Sequence, residues 1–294
     1  MKWRGRRGSG NIEDRRGRGS MGSRGSGSGR RRAAPIGGVG LIAVLVIGYF
    51  LGIDVTPLLD AGGQGGTGPV TGNATITAED RRAAEFVSVT LADTEEVWDA
   101  VFADQIGRAY APATLVLFKG ATGSACGGAS EATGPFYCPA DRKVYLDTDF
   151  FTTLERRLGA GGDFAAAYVV AHEIGHHVQN ELGVLGKANT LRARVGEAEA
   201  NEISVRIELQ ADCLSGVWAH HAAARLGTIE RGDIAEAMNA AEKIGDDTLS
   251  RNAGRRPMPD SFTHGSAAQR QRWFAAGLDA GQVAACDTFS APAL

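Results

Sequence analysis

Apolar residues recur at helical spacing through most of the second half of the chain and take strand character in only two short places. After Thr77-Ala78-Glu79-Asp80, which reads as a helix start, Phe86, Val89, Val97, Val101 and Phe102 predict one or two amphipathic helices. Thr114–Lys119 (TLVLFK) is a short apolar run of strand character. Lys143–Asp147 (KVYLD) alternates Val144 and Leu146 with polar neighbours and predicts a second strand. That strand is either a sheet edge along which an extended peptide could be laid or an interior strand. Helix follows over 150–158, and a stronger helix runs from Asp163, a natural N-cap after Gly-Ala-Gly-Gly, to about Leu182. Gly183–Gly186 breaks it. The next helix spans roughly Glu197–Leu226, with Ile203, Ile207, Ala211, Leu214 and Trp218 as its apolar stripe, and shorter helices fit 229–243 and 266–277. The expected fold is α+β: a mostly helical domain over 77–294 with a small sheet.

The start of the chain has a different pattern. Residues 36–53 (IGGVGLIAVLVIGYFLGI) carry no charge. At the helical rise they extend about 27 Å, enough for one crossing of a bilayer's hydrocarbon core. Arg30-Arg31-Arg32 precedes the stretch and Asp54 follows it, so the positive-inside rule predicts a cytoplasmic N-terminus and a catalytic domain outside the cytoplasm, anchored in the cell membrane by a single pass. A cleaved signal peptide is the competing reading. Residues 1–35 then read as a disordered basic tail and 54–76 as a Gly-rich linker, within which Asn73-Ala74-Thr75 fits a glycosylation sequon.

Charge sharpens this picture. The chain carries a net −3, yet residues 1–32 hold ten Arg and one Lys against Glu13 and Asp14. The tail reads as a topology signal and lipid-surface contact, and no nucleic-acid partner is expected. The four cysteines, Cys126, Cys138, Cys213 and Cys286, all follow the apolar stretch, where an oxidising compartment favours disulfides. Cys126 and Cys138 bracket a Gly-rich loop that a bond between them would close, which leaves Cys213 with Cys286. Four free thiols or a cysteine metal site are the alternatives, and the absence of any CxxC argues against the metal site.

His172-Glu173-Ile174-Gly175-His176 is HExxH, set in the middle of the strong helix. Residues four apart share a helix face, so both imidazoles can reach one zinc ion, while Glu173 can reach a metal-bound water. A third ligand is required. In the HExxHxxGxxH pattern the Gly position here is Gln179 and the last His position Leu182, so a third His fails. Among the later acids, Glu197, Glu199 and Glu202 read as a solvated helix start. Glu208 is the expected ligand, with Asp212 four residues on to accept a hydrogen bond from a zinc-bound His.

HEIGHH followed by ELQADC resembles the bacterial neutral zinc metallopeptidase family. The resemblance extends to Met1–Arg7, the CG…GPFYCPAD…VYLD stretch over Cys126–Asp147, Thr263–Phe274 (THGS…QR..WF) and Cys286–Phe289 (CDTF). It implies a zincin-like, single-span, membrane-anchored metallopeptidase with one Zn²⁺ held by His172, His176 and Glu208, and Glu173 as catalytic base.

Weaker candidates remain. His264 could stabilise the oxyanion, as could Tyr137 or Tyr145; alternatively Ser266 simply caps a helix there. His177 reads as packing or surface, and His220-His221 as a helix end. The expected function is hydrolysis of a peptide or protein substrate. A membrane-tethered zinc-binding adaptor without catalysis and a zinc hydrolase of non-peptide amides are the alternatives.

Overall fold

The computed structural model describes residues 1–17, 75–130 and 133–294. The apolar stretch 36–53, most of the linker and the Asn73 sequon lie outside the described residues. Among the described residues no helix is long and apolar enough to cross a membrane.

The fold is α+β, mostly helical with a small sheet. The chain opens with a short strand, β1 (Ile12–Asp14), and resumes in α1 (Ala78–Val101), which Thr77 starts with a full capping box to Asp80. Strands β2 (Thr114–Phe118), β3 (Ala121–Ser124), β4 (Gly127–Ser130), β5 (Phe136–Cys138) and β6 (Lys143–Asp147) follow. The rest is helical: α2 (Phe150–Arg156), α3 (Asp163–Glu181), α4 (Val184–Arg192), α5 (Glu197–His221), α6 (Asp233–Lys243), α7 (Asp246–Asn252) and α8 (Ala267–Ala280).

The main sheet has the order β1-β2-β6-β5, with β1, β2 and β6 parallel and β5 antiparallel on the far edge. KVYLD is therefore an interior strand, and β1 and β5 are the edges. Side chains alternate between two cores. Leu115, Leu117, Val144 and Leu146 face the helices, whereas Val116, Phe118 and Tyr145 pack with Cys138 and Ala129 on the opposite face. That second cluster lies beneath the β3–β4 hairpin, which Cys126–Cys138 ties to β5; a second disulfide joins Cys213 on α5 to Cys286 near the C-terminus.

Three expectations change. Asp163 is the first residue of α3 rather than its cap, because Gly162 holds the cap position and the Asp163 carboxylate accepts from the amino group of Met1 at 2.8 Å. Gly183–Gly186 does not simply interrupt the helices. Gly183 turns the chain with φ 74°, and α4 starts at once, with Gly186 inside it. The largest correction concerns the disordered basic tail placed over 1–35. Its first 17 residues pack on the domain, where Met1 and Trp3 are buried and Trp3 meets Phe86 edge-on at 5.5 Å.

Helices α5 and α8 approach closely because two glycines face each other's backbone. A Cβ on Gly277 would lie 1.9 Å from the Cys213 carbonyl oxygen, and one on Gly216 2.1 Å from that of Phe274. Alanine has the better helix propensity, yet here it must push two helices apart. Gly277→Ala is expected to cost about 1–3 kcal/mol, read as a melting temperature lower by several degrees; an unchanged or higher melting temperature contradicts the close packing.

Candidate metal centre

Helices α3 and α5 bring the site together. Gly175, inside HExxH, makes this possible: a Cβ there would sit 3.0 Å from the Ala211 carbonyl oxygen, so the two backbones touch. Glu208 lies one turn before Ala211. Its Oε2 is 3.2 Å from His172 Nε2, and its Oε1 is 3.5 Å from His176 Nε2. The ligand atoms of His172, His176 and Glu208 all fall within 4.8 Å of one another. The three side chains are 8, 13 and 18% exposed, so the cluster is largely walled by protein.

Each imidazole is aimed by its other nitrogen. His172 Nδ1 donates to Asp212 Oδ1 at 2.8 Å, which leaves the Nε2 lone pair for a metal. His176 Nδ1 donates to Gln179 Oε1 at 2.8 Å, and the amide group of Gln179 donates to the Ile207 carbonyl at 2.7 Å and to Gln210 at 3.0 Å. The residue that breaks the third-His pattern is thus a strut between α3 and α5.

Asp212 is fully buried and serves three partners. Besides His172 it accepts from Tyr168 Oη at 2.5 Å and from Arg270 Nε and Nη2 at 2.9 Å each. Burial alone would raise its carboxyl, but Arg270 and His172 hold it down to about 2. In the same way burial works against a charged His172, while Asp212 and Glu208 push it up to about 10. Glu208 is pulled well below the carboxylate range, since His176 and His172 outweigh its burial.

Glu173 differs. It is buried, its Oε2 has no hydrogen-bond partner among the described residues, and burial pushes its carboxyl up against the pull of both imidazoles. A buried carboxylate oxygen with nothing to accept from is costly unless a further group belongs there. Two imidazole nitrogens and one carboxylate, with an orphaned buried carboxylate beside them, match the donor set of a zinc ion that keeps an open position. The residues fit the metal.

The other candidates separate cleanly. His264 lies close enough for its charge to act on Glu208. Its Nδ1 is 3.3 Å from Asp246 Oδ1 and 3.1 Å from Thr263 Oγ1, and Asp246 Oδ2 accepts from the backbone N–H groups of Thr263, His264 and Gly265. Ser266 caps α8, with a capping box to Gln269. Tyr145 spends its hydroxyl on Asp141 at 2.7 Å within the second core. Tyr137 pairs with His177, whose fully buried ring donates on its other side to Ala111, so His177 packs and does not ligate. His220 and His221 end α5, as expected.

Sequence reasoning missed Gln179, Tyr168, Asp246 and Arg270 as supports, and Arg192 at the end of α4. Burial lowers the Arg192 guanidinium against the attraction of Glu208, and its Nε lacks a partner among the described residues. Gln179 was findable, standing one turn beyond His176. The others partner residues too distant in sequence to pair on inspection.

No solved structure matches the chain. Among known proteins it is 46% identical over 293 residues to "Uncharacterized protein YpfJ" of Escherichia coli K12, covering 98% of this chain and 99% of that protein. It is 45% identical over 219 residues to "Uncharacterized protein Rv2575" of Mycobacterium tuberculosis H37Rv, covering 71% and 73%. The family model described as "Putative neutral zinc metallopeptidase" matches residues 1–289, which include the whole His172–His176–Glu208 cluster and its supports, and the chain belongs to that family.

Proposed function

We propose that this protein is a zinc-dependent peptidase that hydrolyses peptide bonds with Glu173 as general base. The observation that carries the reading is the orphaned, buried Glu173 oxygen beside the three convergent ligand atoms of His172, His176 and Glu208. One Zn²⁺ bound there would supply an acidified water and polarise the scissile carbonyl. Glu173 would act as the base that holds the proton lost by the attacking water and passes it to the leaving amine, a role that a raised carboxyl suits. His264, with Nδ1 held by Asp246, has Nε2 left to donate to the oxyanion of the tetrahedral intermediate. The β5 edge is the strand along which an extended substrate would add. The two disulfides support an oxidising compartment for the working domain.

Incubating the purified full-length chain with a mixed peptide library tests this reading. Cleavage that chelation abolishes and stoichiometric zinc restores supports it. Bound zinc without cleavage of any peptide contradicts it and returns the adaptor or non-peptide readings.

Zinc loading should also depend on pH. Against burial, Asp212 and Glu208 raise His172 and Glu208 raises His176, so the metal-free site favours protonated imidazoles and zinc binding works against those protons. Affinity is therefore expected to rise with pH through the neutral range. Calorimetry in buffers of different ionisation enthalpy should detect net proton release on zinc binding at pH 7; no release contradicts the charged pocket.

A further inference from the structure

The first 17 residues make contacts only a folded-in segment can make. Strand β1 pairs parallel with β2 over Ile12↔Leu115, Glu13↔Val116 and Asp14↔Leu117, covering an edge that would otherwise be open. Lys2 N donates to the Thr228 carbonyl at 2.8 Å, and Ser9 N to that of Ser88 at 2.9 Å. Ser9 Oγ donates to Glu95 at 2.6 Å.

Among the described basic residues of this segment, Arg6, Arg15 and Arg16 are engaged within the protein, whereas Lys2, Arg4 and Arg7 are exposed. Arg6 pairs with the buried Asp93 at 2.7 Å. Arg15 pairs with Glu13 and also donates to the Gly123 carbonyl at 2.9 Å. Arg16 is itself buried, pairing with Asp14 and donating to the Asp80 carbonyl at 2.5 Å. Across the strands Lys143 reaches Glu13 at 2.7 Å.

The exit and the return of the chain also coincide. A Cβ on Gly17 would lie 3.8 Å from Ile76 Cδ1, so residues 17 and 76 are neighbours. Whatever lies between them starts and finishes at one point on the domain surface.

We propose that residues 1–17 are an integral part of the catalytic domain and occupy the same compartment, so that the stretch 36–53 does not separate them across a bilayer. The expected single pass with a cytoplasmic N-terminus is incompatible with β1 in the sheet, because one crossing puts the two strands on opposite sides. An even number of crossings is required, and 18 apolar residues are too few for two. The positive-inside reading then does not apply to Arg6, Arg15 and Arg16, which are paired within the fold. This inference is independent of catalysis.

Two measurements on the full-length chain test it. A viral-protease recognition sequence is inserted within 22–29, and another after Leu294, and each chain is expressed in bacteria. Both sites are expected to be cut under the same condition, either in intact spheroplasts or only after lysis. Cutting of one in intact spheroplasts and of the other only after lysis overturns the proposal. For the unmodified chain in native membranes, a zero-length carbodiimide is expected to join Glu13 to Lys143. The Lys119–Asp149 pair, 2.6 Å apart within the domain, is the control. A Lys119–Asp149 link without a Glu13–Lys143 link also overturns it.

Discussion

Glu173→Gln is expected to keep one zinc per chain and to lose hydrolysis by about 10²–10⁴-fold, the usual contribution of a positioned general base. The substitution keeps the shape of the side chain and leaves His172, His176 and Glu208 in place, so metal content should not move. What it removes is the proton acceptor. Stability should not suffer, because Glu173 Oε2 has no hydrogen-bond partner among the described residues to lose. An amide there also relieves the cost of burying a carboxylate, so the variant is expected to melt at the same temperature as the wild type or slightly above it. Unaltered turnover with zinc retained would falsify the role given to Glu173. Loss of zinc together with activity would show instead that Glu173 serves as a ligand.

Asp212→Asn should damage the fold and the metal site together. The carboxylate neutralises Arg270, which is 4% exposed, and without it a guanidinium stays buried and unpaired. Breaking a buried pair from one side costs about 3–5 kcal/mol, which differential scanning calorimetry would read directly. The same change removes the anion that aims His172, for which a 10–100-fold loss of zinc affinity is typical. A double replacement separates the two effects. Asp212→Leu with Arg270→Met exchanges the pair for apolar groups of similar bulk and should recover most of the stability, since such exchanges are often neutral. Zinc affinity should stay low, because nothing then holds His172 Nδ1. Recovery of both would show that Asp212 acts only on the fold.

Acid should reveal the same carboxylate. Asp212 is held down to about 2 from an ordinary 3.8. A depressed carboxyl contributes stability that is fully present above its unfolded value and is lost as the pH falls through its folded one. The wild type should therefore lose this contribution between about pH 4 and pH 2, and Asp212→Asn should show a shallower acid decline over that window.

The grouping of His172, His176 and Glu208 was legible because its information is local. His172 and His176 are four apart on one helix, and Glu208 and Asp212 repeat that spacing on another. Gly175 looked like a filler of the xx positions, yet it is where α3 and α5 touch. The supports were hidden because each is one polar residue paired over distance: Arg270 lies 58 residues from Asp212 and His264 lies 18 from Asp246. A hydrophobic pattern cannot register such pairs.

The N-terminal segment misled for a related reason. Gly, Arg and Ser in alternation satisfy the composition of a disordered tail, and only Trp3 and Ile12 hint at burial. Its strand is three residues long and pairs in parallel with a partner about a hundred residues away, a contact with no local signature. KVYLD was read correctly as a strand, but its place in the sheet depends on β1 and β5 flanking β2 and β6, which no single strand reveals.

X-ray absorption at the zinc edge of the metal-loaded wild type tests the central claim most directly. The predicted first shell contains only nitrogen and oxygen, with two imidazoles, a carboxylate and a solvent oxygen at about 2.0–2.2 Å. Sulfur at about 2.3 Å, or a shell filled by four protein ligands with no solvent, would contradict a hydrolytic centre built on His172, His176 and Glu208.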